Sequence, residues 1–203
     1  MRNYVSLIYL GINYTKFLIY NYLCKLLFLI ELWLLNIPHG KILTGGGVVK
    51  IRKSRHGTII LGNNVNFANK WEIGYPVKCF LRVAGNGIIR IGDNSGLNSC
   101  QLFCNEAITI GRNVLIGGGT IIFDTNFHSS DYLERRDPIL NGRASNKGVV
   151  IKDDVFVGGR CIIYKGVTIG ERSMIAAGSV VIKSVPADEL WGGNPAKFIK
   201  KIN

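Results

Sequence analysis

Residues 151–182 read IKDDVFVGGRCIIYKGVTIGERSMIAAGSVVI, and one period runs through them. Ile151, Val157, Ile163, Ile169, Ile175 and Val181 recur at strict six-residue spacing, with Gly158, Gly170 and Ala176 directly after three of them. A half-buried strand alternates with period two and an amphipathic helix with a period of about 3.6, so neither accounts for a repeat of six. Three hexads make a three-sided coil of 18 residues, which stacks Ile151 under Ile169, Val157 under Ile175 and Ile163 under Val181. Stacked coils of this kind form a parallel β-helix. The fifth position of each hexad, counted from the aliphatic as the first, is small or β-branched in the order Val155, Cys161, Val167, Ser173, Ser179, which suits a tight corner.

Upstream, the triads Leu61-Phe67-Ile73, Ile91-Leu97-Phe103 and Ile110-Ile116-Ile122 keep the spacing, with one extra residue between Phe103 and Ile110. Gly62-Asn63-Asn64, Gly92-Asp93-Asn94 and Gly111-Arg112-Asn113 mark corners between them. The period fails at an insertion, residues 129–148, that carries Asp131, Glu134, Arg135, Arg136 and Arg143. In an otherwise regular solenoid a long loop marks function, here contact with an acceptor or a neighbouring subunit, or else a solvated charged surface. Three segments follow: an N-terminal helical segment over 1–38, the β-helix over 39–185 with its insertion, and a tail over 186–203.

The first segment is dominated by aliphatic and aromatic residues, among them Tyr4, Tyr9, Tyr14, Phe17, Tyr20, Tyr22, Phe28 and Trp33. No small-residue cleavage site follows, which argues against a secretory leader. Asn21, Lys25 and Glu31 interrupt the best spanning window, Phe17 to Leu35. Projected at about 100° per residue, Asn3, Ser6, Asn13, Asn21, Lys25, Glu31 and Asn36 share one sector, and the complementary face is apolar. Such a helix lies in a membrane interface or covers the open end of the coil stack; a true span is the third reading.

The chain has 203 residues, 47% of them hydrophobic and 19% charged, which is enough for one sizeable core and excludes a disordered chain. Lys and Arg number 25 against 13 Asp and Glu, a net charge of +12 that favours anionic partners. Lys50, Arg52, Lys53 and Arg55 form a basic cluster without an accompanying nucleic-acid fold or aromatic stacking platform, so lipid or cofactor phosphate explains the charge better than nucleic acid. Cys24, Cys79, Cys100, Cys104 and Cys161 are odd in number and form no CxxC, as expected of a reducing, cytoplasmic compartment. No metal site is expected, because a three-histidine zinc site would need all of His39, His56 and His128, and two of these lie outside the repeat.

The hexads, the loop Phe123-Asp124-Thr125-Asn126-Phe127-His128 and the closing Trp191-Gly192-Gly193-Asn194-Pro195-Ala196-Lys197 resemble the hexapeptide-repeat acyltransferases. The likeness covers roughly residues 59–201 and is best with the branch of maltose, galactoside and surface-polysaccharide O-acetyltransferases. It implies a left-handed β-helix, a homotrimer, and acetyl-CoA in the groove between subunits. It further implies transfer of acetyl to a hydroxyl of a sugar or glycan precursor, with N-acetylation of an amino sugar as the alternative; the reading outside the enzymes is a β-helix protein that binds anionic lipid without catalysis.

An alcohol is a poor nucleophile until a base takes its proton, and imidazole does this near neutrality. The resemblance assigns that role to His128, six residues after Ile122, and places Asn98 near the acceptor hydroxyl, where its amide can orient the hydroxyl or donate to the developing oxyanion. Asp124 and Asn126 are expected to shape the loop through side-chain bonds to backbone. The same likeness puts Gly159, Ala177 and Ile182 along the pantetheine arm and Lys197 and Lys200 near the phosphates. Two departures stand out: Gly159 replaces a serine, and Lys replaces Arg at both cationic positions, which keeps charge and loses the bidentate fork. The bland reading of the two lysines is a basic tail helix on the solenoid end.

Overall fold

The computed structural model describes residues 2–45, 49–68, 78–142 and 144–202, with side chains from Tyr14 onward apart from that of Thr44. Ile73 and Arg143 lie outside these residues, as do the side chains of Asn3, Tyr4, Ser6, Tyr9 and Asn13. After helix α1 (Arg2–Leu34) the chain winds into a three-sided parallel β-helix. Successive strands visit the three sides in turn, so along the coils each strand pairs with the third strand after it, until the end of the stack, where Met174–Ile175 pairs with Glu189–Gly193.

The register explains why a six-residue period builds this shape. On the first side Phe67, Leu97, Ile116, Val157, Ile175 and Trp191 fall on successive rungs. On the second, Ile51, Leu81, Leu102, Ile122, Ile163 and Val181 do so. The third stacks Leu61, Ile91, Ile110, Ile151 and Ile169, and ends in a single bridge from Ile169 to Val185. Rungs lie about 4.8 Å apart, so each aliphatic side chain packs on its counterpart above and below. All six residues of the period over 151–181 are fully buried.

One expected position is displaced. Leu102, not Phe103, pairs with Ile122 and is buried, while Phe103 points outward and is half-buried. The corner is one residue short: only Asn98 separates Leu97 from Ser99, whose φ is +46°, whereas Gly158 and Gly159 separate Val157 from the equivalent Arg160 at φ +60°.

The corners carry their own stacks. Entering the second side, Val49, Cys79, Cys100, Thr120, Cys161 and Ser179 are all buried one above another, each from Cys79 on accepting at its carbonyl an N–H from the coil below. Entering the first side, Asn64, Asn94, Asn113 and Asp154 share a φ of 55–60°. Their side chains form a ladder, with Asn64 donating to Asn94 (3.1 Å), Asn94 to Asn113 (3.3 Å) and Asn113 to Asp154 (3.0 Å). Gly158 is needed for a different reason: a Cβ there would lie 2.5 Å from the backbone N of Ala177.

Both ends of the stack are closed. At the N-terminal end α1 buries Phe28 and Leu32, with Phe28 edge-on to Phe67 at 5.5 Å between ring centroids. At the C-terminal end the tail is an antiparallel hairpin, Glu189–Gly193 with Ala196–Lys201, and not the helix of the bland reading. The turn Gly193-Asn194-Pro195 dictates that reversal, with Gly193 at φ +104°.

Candidate active site

The loop bearing His128 leaves the second side after Phe123 and rejoins the third at Val149. Its neck is tied from within. Asp124 is fully buried, and its two carboxylate oxygens accept the N–H groups of Asn105 (2.7 Å) and Glu106 (2.8 Å) on the coil below. Its carbonyl accepts from Lys147, Asn126 donates its N–H to Ser145, and Thr125 bridges Asn146, so the strands entering and leaving the insertion are zipped together. Asp124 thus shapes the loop through backbone bonds, the behaviour expected of Asx residues.

Beyond the neck, Phe127 sits at φ +63° and turns the chain so that His128 stands exposed at the surface. His128 Nδ1 lies 3.2 Å from Asn141 Oδ1. An amide oxygen only accepts, so the tautomer that satisfies this pair is the one protonated on Nδ1, in which Nε2 is the acceptor. Asn141 was not singled out in the sequence, and nothing distinguishes it there from any other loop asparagine. Its carbonyl also accepts from the N–H of Ser129. The short helix α2 (Tyr132–Arg136), capped by Asp131, braces this arm, since Arg135 donates to the carbonyls of Ser129 and Ser130.

An aromatic strip lies beside the loop. Phe80, Phe103, Phe127, Phe123 and Tyr164 form a chain of ring contacts with centroids 4.7–5.7 Å apart. Phe127 and Tyr164 remain 41% and 38% exposed.

Asn98 lies elsewhere, at the corner where the second side begins, half-buried beside Gly117 and Gly118 in a shallow cleft with Asn66, Leu115 and Phe156. His128 follows the far end of the same side, so within one chain the two stand at opposite edges of a face about 10–15 Å wide. Gly159 and Ala177 continue the Asn98 edge along the axis: Arg160 donates to the carbonyl of Gly118 and Gly178 to that of Gly159. A side chain at Gly159 would press to 3.0 Å on the Gly118 carbonyl. The result is a smooth edge on which an extended amide-bearing chain can lie against backbone. Ile182 instead follows Val181 at the far end of the second side, and with Lys183, Trp191, Pro195, Lys197 and Phe198 it lines a pocket of about 220 Å³ at the C-terminal end of the stack. Lys200 pairs with Leu190 in the hairpin, outside that lining.

The buried thiols take no part as nucleophiles. Burial pushes Cys79 up to about 12, and burial together with the nearby Asp124 carboxylate does the same to Cys104. Neither is a thiolate near neutrality. Among the described residues no group of three His, Cys, Asp or Glu could hold a metal ion.

The bacterial transferase hexapeptide family, six repeats, matches residues 148–183. The putative lipopolysaccharide biosynthesis O-acetyl transferase WbbJ of Escherichia coli K12 is 31% identical over 145 residues, which cover 69% of this chain and 73% of that protein. The chain belongs to the hexapeptide-repeat transferases. A putative acetyltransferase of Saccharomyces cerevisiae is 43% identical over 56% of this chain, which spans about half (56%) of that relative's length. Among solved structures, a hexapeptide-repeat acetyltransferase of Vibrio cholerae complexed with acetyl coenzyme A is 42% identical, with a TM-score of 0.52 over 57% of this chain and 61% of that one.

Proposed function

We propose that this hexapeptide-repeat transferase moves an acetyl group from acetyl-CoA to a hydroxyl of a sugar or surface-polysaccharide precursor, with His128 as general base. The observation that carries the proposal is the His128–Asn141 pair, which orients an exposed imidazole through its Nδ1. Nε2 accepts the hydroxyl proton as the oxygen bonds to the acetyl carbon; the carbon–sulfur bond breaks and His128 returns the proton to the departing sulfur. Asn98 donates its amide N–H to the carbonyl oxygen as charge gathers there. The Gly118, Gly159 and Ala177 edge takes the pantetheine arm, Ile182 flanks its outer end, and Lys197 with the hairpin's Lys200 faces the phosphates. Phe127 and Tyr164 offer a sugar ring an apolar face next to the base. The likeness to an O-acetyl transferase of lipopolysaccharide synthesis supports the hydroxyl acceptor.

Because Asn98 and His128 occupy opposite edges of one side, one chain does not bring them together. A homotrimer that sets the His128 edge of one copy against the Asn98 edge of the next completes the site. The test is acetyl transfer from acetyl-CoA to a panel of nucleotide- and lipid-linked sugars, with His128→Ala and Asn141→Ala beside the unmodified protein. His128→Ala is expected to lower turnover by about 10²–10⁴-fold with the trimer intact, and Asn141→Ala to lower turnover more than acceptor affinity. Unmodified turnover in His128→Ala, or acetylation of an amine in preference to every hydroxyl, would overturn the reading.

A further inference from the structure

From Asn21 onward α1 is turned inside out for a helix on a water-soluble body. The side against the coils carries Asn21, Cys24, Lys25, Phe28, Glu31 and Leu32, which includes every polar or charged residue of the stretch Asn21–Leu34. The opposite side carries Tyr22, Leu23, Leu26, Leu27, Ile30, Trp33 and Leu34, exposed by 44–78%. Ahead of them Tyr14 to Tyr20 is exposed at every position, with Phe17, Leu18 and Ile19 among them. Such a patch exceeds the few hundred Å² of contiguous apolar surface that soluble monomers leave uncovered.

A second feature adjoins the end of this helix. Leu35, just past α1, lines a cleft of about 520 Å³ whose other walls include Arg52, Lys53 and Arg82. Arg52 and Arg82 occupy paired rungs of a parallel ladder. Like charges so placed repel, and among the described residues no carboxylate pairs with either. An unneutralised cation pair next to an uncovered apolar helix face is the surface of a protein whose partner is both oily and anionic.

We infer that α1 and the Arg52–Lys53–Arg82 cleft dock the protein on an anionic lipid bilayer, with α1 lying in the plane of the interface. The stretch Tyr14–Leu34 is long and apolar enough to cross a membrane, with mean hydropathy 1.6. It does not cross, because Phe28 and Leu32 on its inner side are 1% and 0% exposed and close the coil core; a span would strip both from it. Pairing with a second copy would cover the apolar face but leave the arginines unneutralised. Bilayer docking meets both demands.

The test is flotation of the full chain, without acetyl-CoA or acceptor, with phosphatidylcholine vesicles made with and without phosphatidylglycerol. The triple variant Leu26→Ser, Ile30→Ser, Trp33→Ser is expected to lose binding to both by at least about 100-fold. The pair Arg52→Gln, Arg82→Gln should lose only the gain from phosphatidylglycerol, about 25-fold for two cations near an anionic surface, and that gain should shrink with salt. Unchanged flotation of the triple variant, equal binding of the unmodified chain to both vesicles, or a change in oligomeric mass with flotation unaffected would each overturn the inference. Failure leaves the acetyl-transfer reading standing, since neither variant touches His128 or Asn98.

Discussion

Replacing Asp124 by asparagine keeps its shape and removes one of its two acceptors. The carboxylate accepts N–H from Asn105 at 2.7 Å and from Glu106 at 2.8 Å; in the amide one of those positions becomes an NH₂ that faces an N–H donor. One charge-assisted hydrogen bond is lost, about 1.5–3 kcal/mol, and a buried donor is left without a partner, about 1–3 kcal/mol more. Taking ~3 kcal/mol for the two together, amides that are exposed when the neck opens should exchange with solvent roughly 150-fold faster. Asn105, Glu106 and Lys147 are those amides, because each donates to Asp124. Ile162 and Gly158, one coil on and held by backbone bonds to Ser179 and Ile175, should not change. Residue-resolved hydrogen exchange at neutral pH measures this. Protection at Asn105 and Glu106 within about threefold of the unmodified protein would show that Asp124 is not what closes the neck.

Gly158→Ala is expected to destabilise the fold by at least about 1–3 kcal/mol, because its Cβ meets backbone of the next coil, whereas Gly178→Ala meets nothing within 4 Å and suffers only from φ +75°; melting curves of the two alanines and the two asparagines should show rescue by asparagine at 178 and none at 158. Burial pushes the Glu31 carboxyl above its ordinary 4.5, partly offset by an N–H from Ile51, so its charge costs stability above its folded pKa and nothing once it is protonated in both states. Glu31→Gln should therefore raise the melting temperature at neutral pH and leave it unchanged well below pH 4.5, and an equal rise at both pH values would refute the assignment. Lys197→Glu should weaken CoA binding in calorimetry more at low salt than at high; a salt-independent change would make Lys197 part of the hairpin only.

The coils were legible because the hexad period is enforced rung by rung: a residue that must pack on its counterpart one turn away cannot drift. Where a corner changes length the period misleads, and the slip from Leu102 to Phe103 is the case in point, since the two adjacent apolar residues differ only in which one follows a shortened turn. The hairpin went unread because its strands follow no hexad and Lys-rich ends suit helix and strand alike. The amphipathy of α1 was visible, but which side meets the coils depends on Phe67, brought to the open end by pairing across thirty residues, from Phe67 to Leu97. Asn141 was invisible for a related reason: its partnership with His128 is made by the folded insertion and has no local signature.

A stack of parallel coils has two raw ends, each a row of unpaired strand groups onto which another stack could add without limit. In this protein neither end can elongate in that way. Phe28 and Leu32 of α1 occupy the place where a preceding coil would lie, and the return strand Ala196–Lys201 runs antiparallel, so its free edge offers the wrong polarity for another parallel rung and bears Lys197, Lys200 and Lys201 as well. The fold therefore carries its own terminators of polymerisation. Chains cut at residue 38 or at residue 188 are expected to lose that protection and to join end to end into fibres.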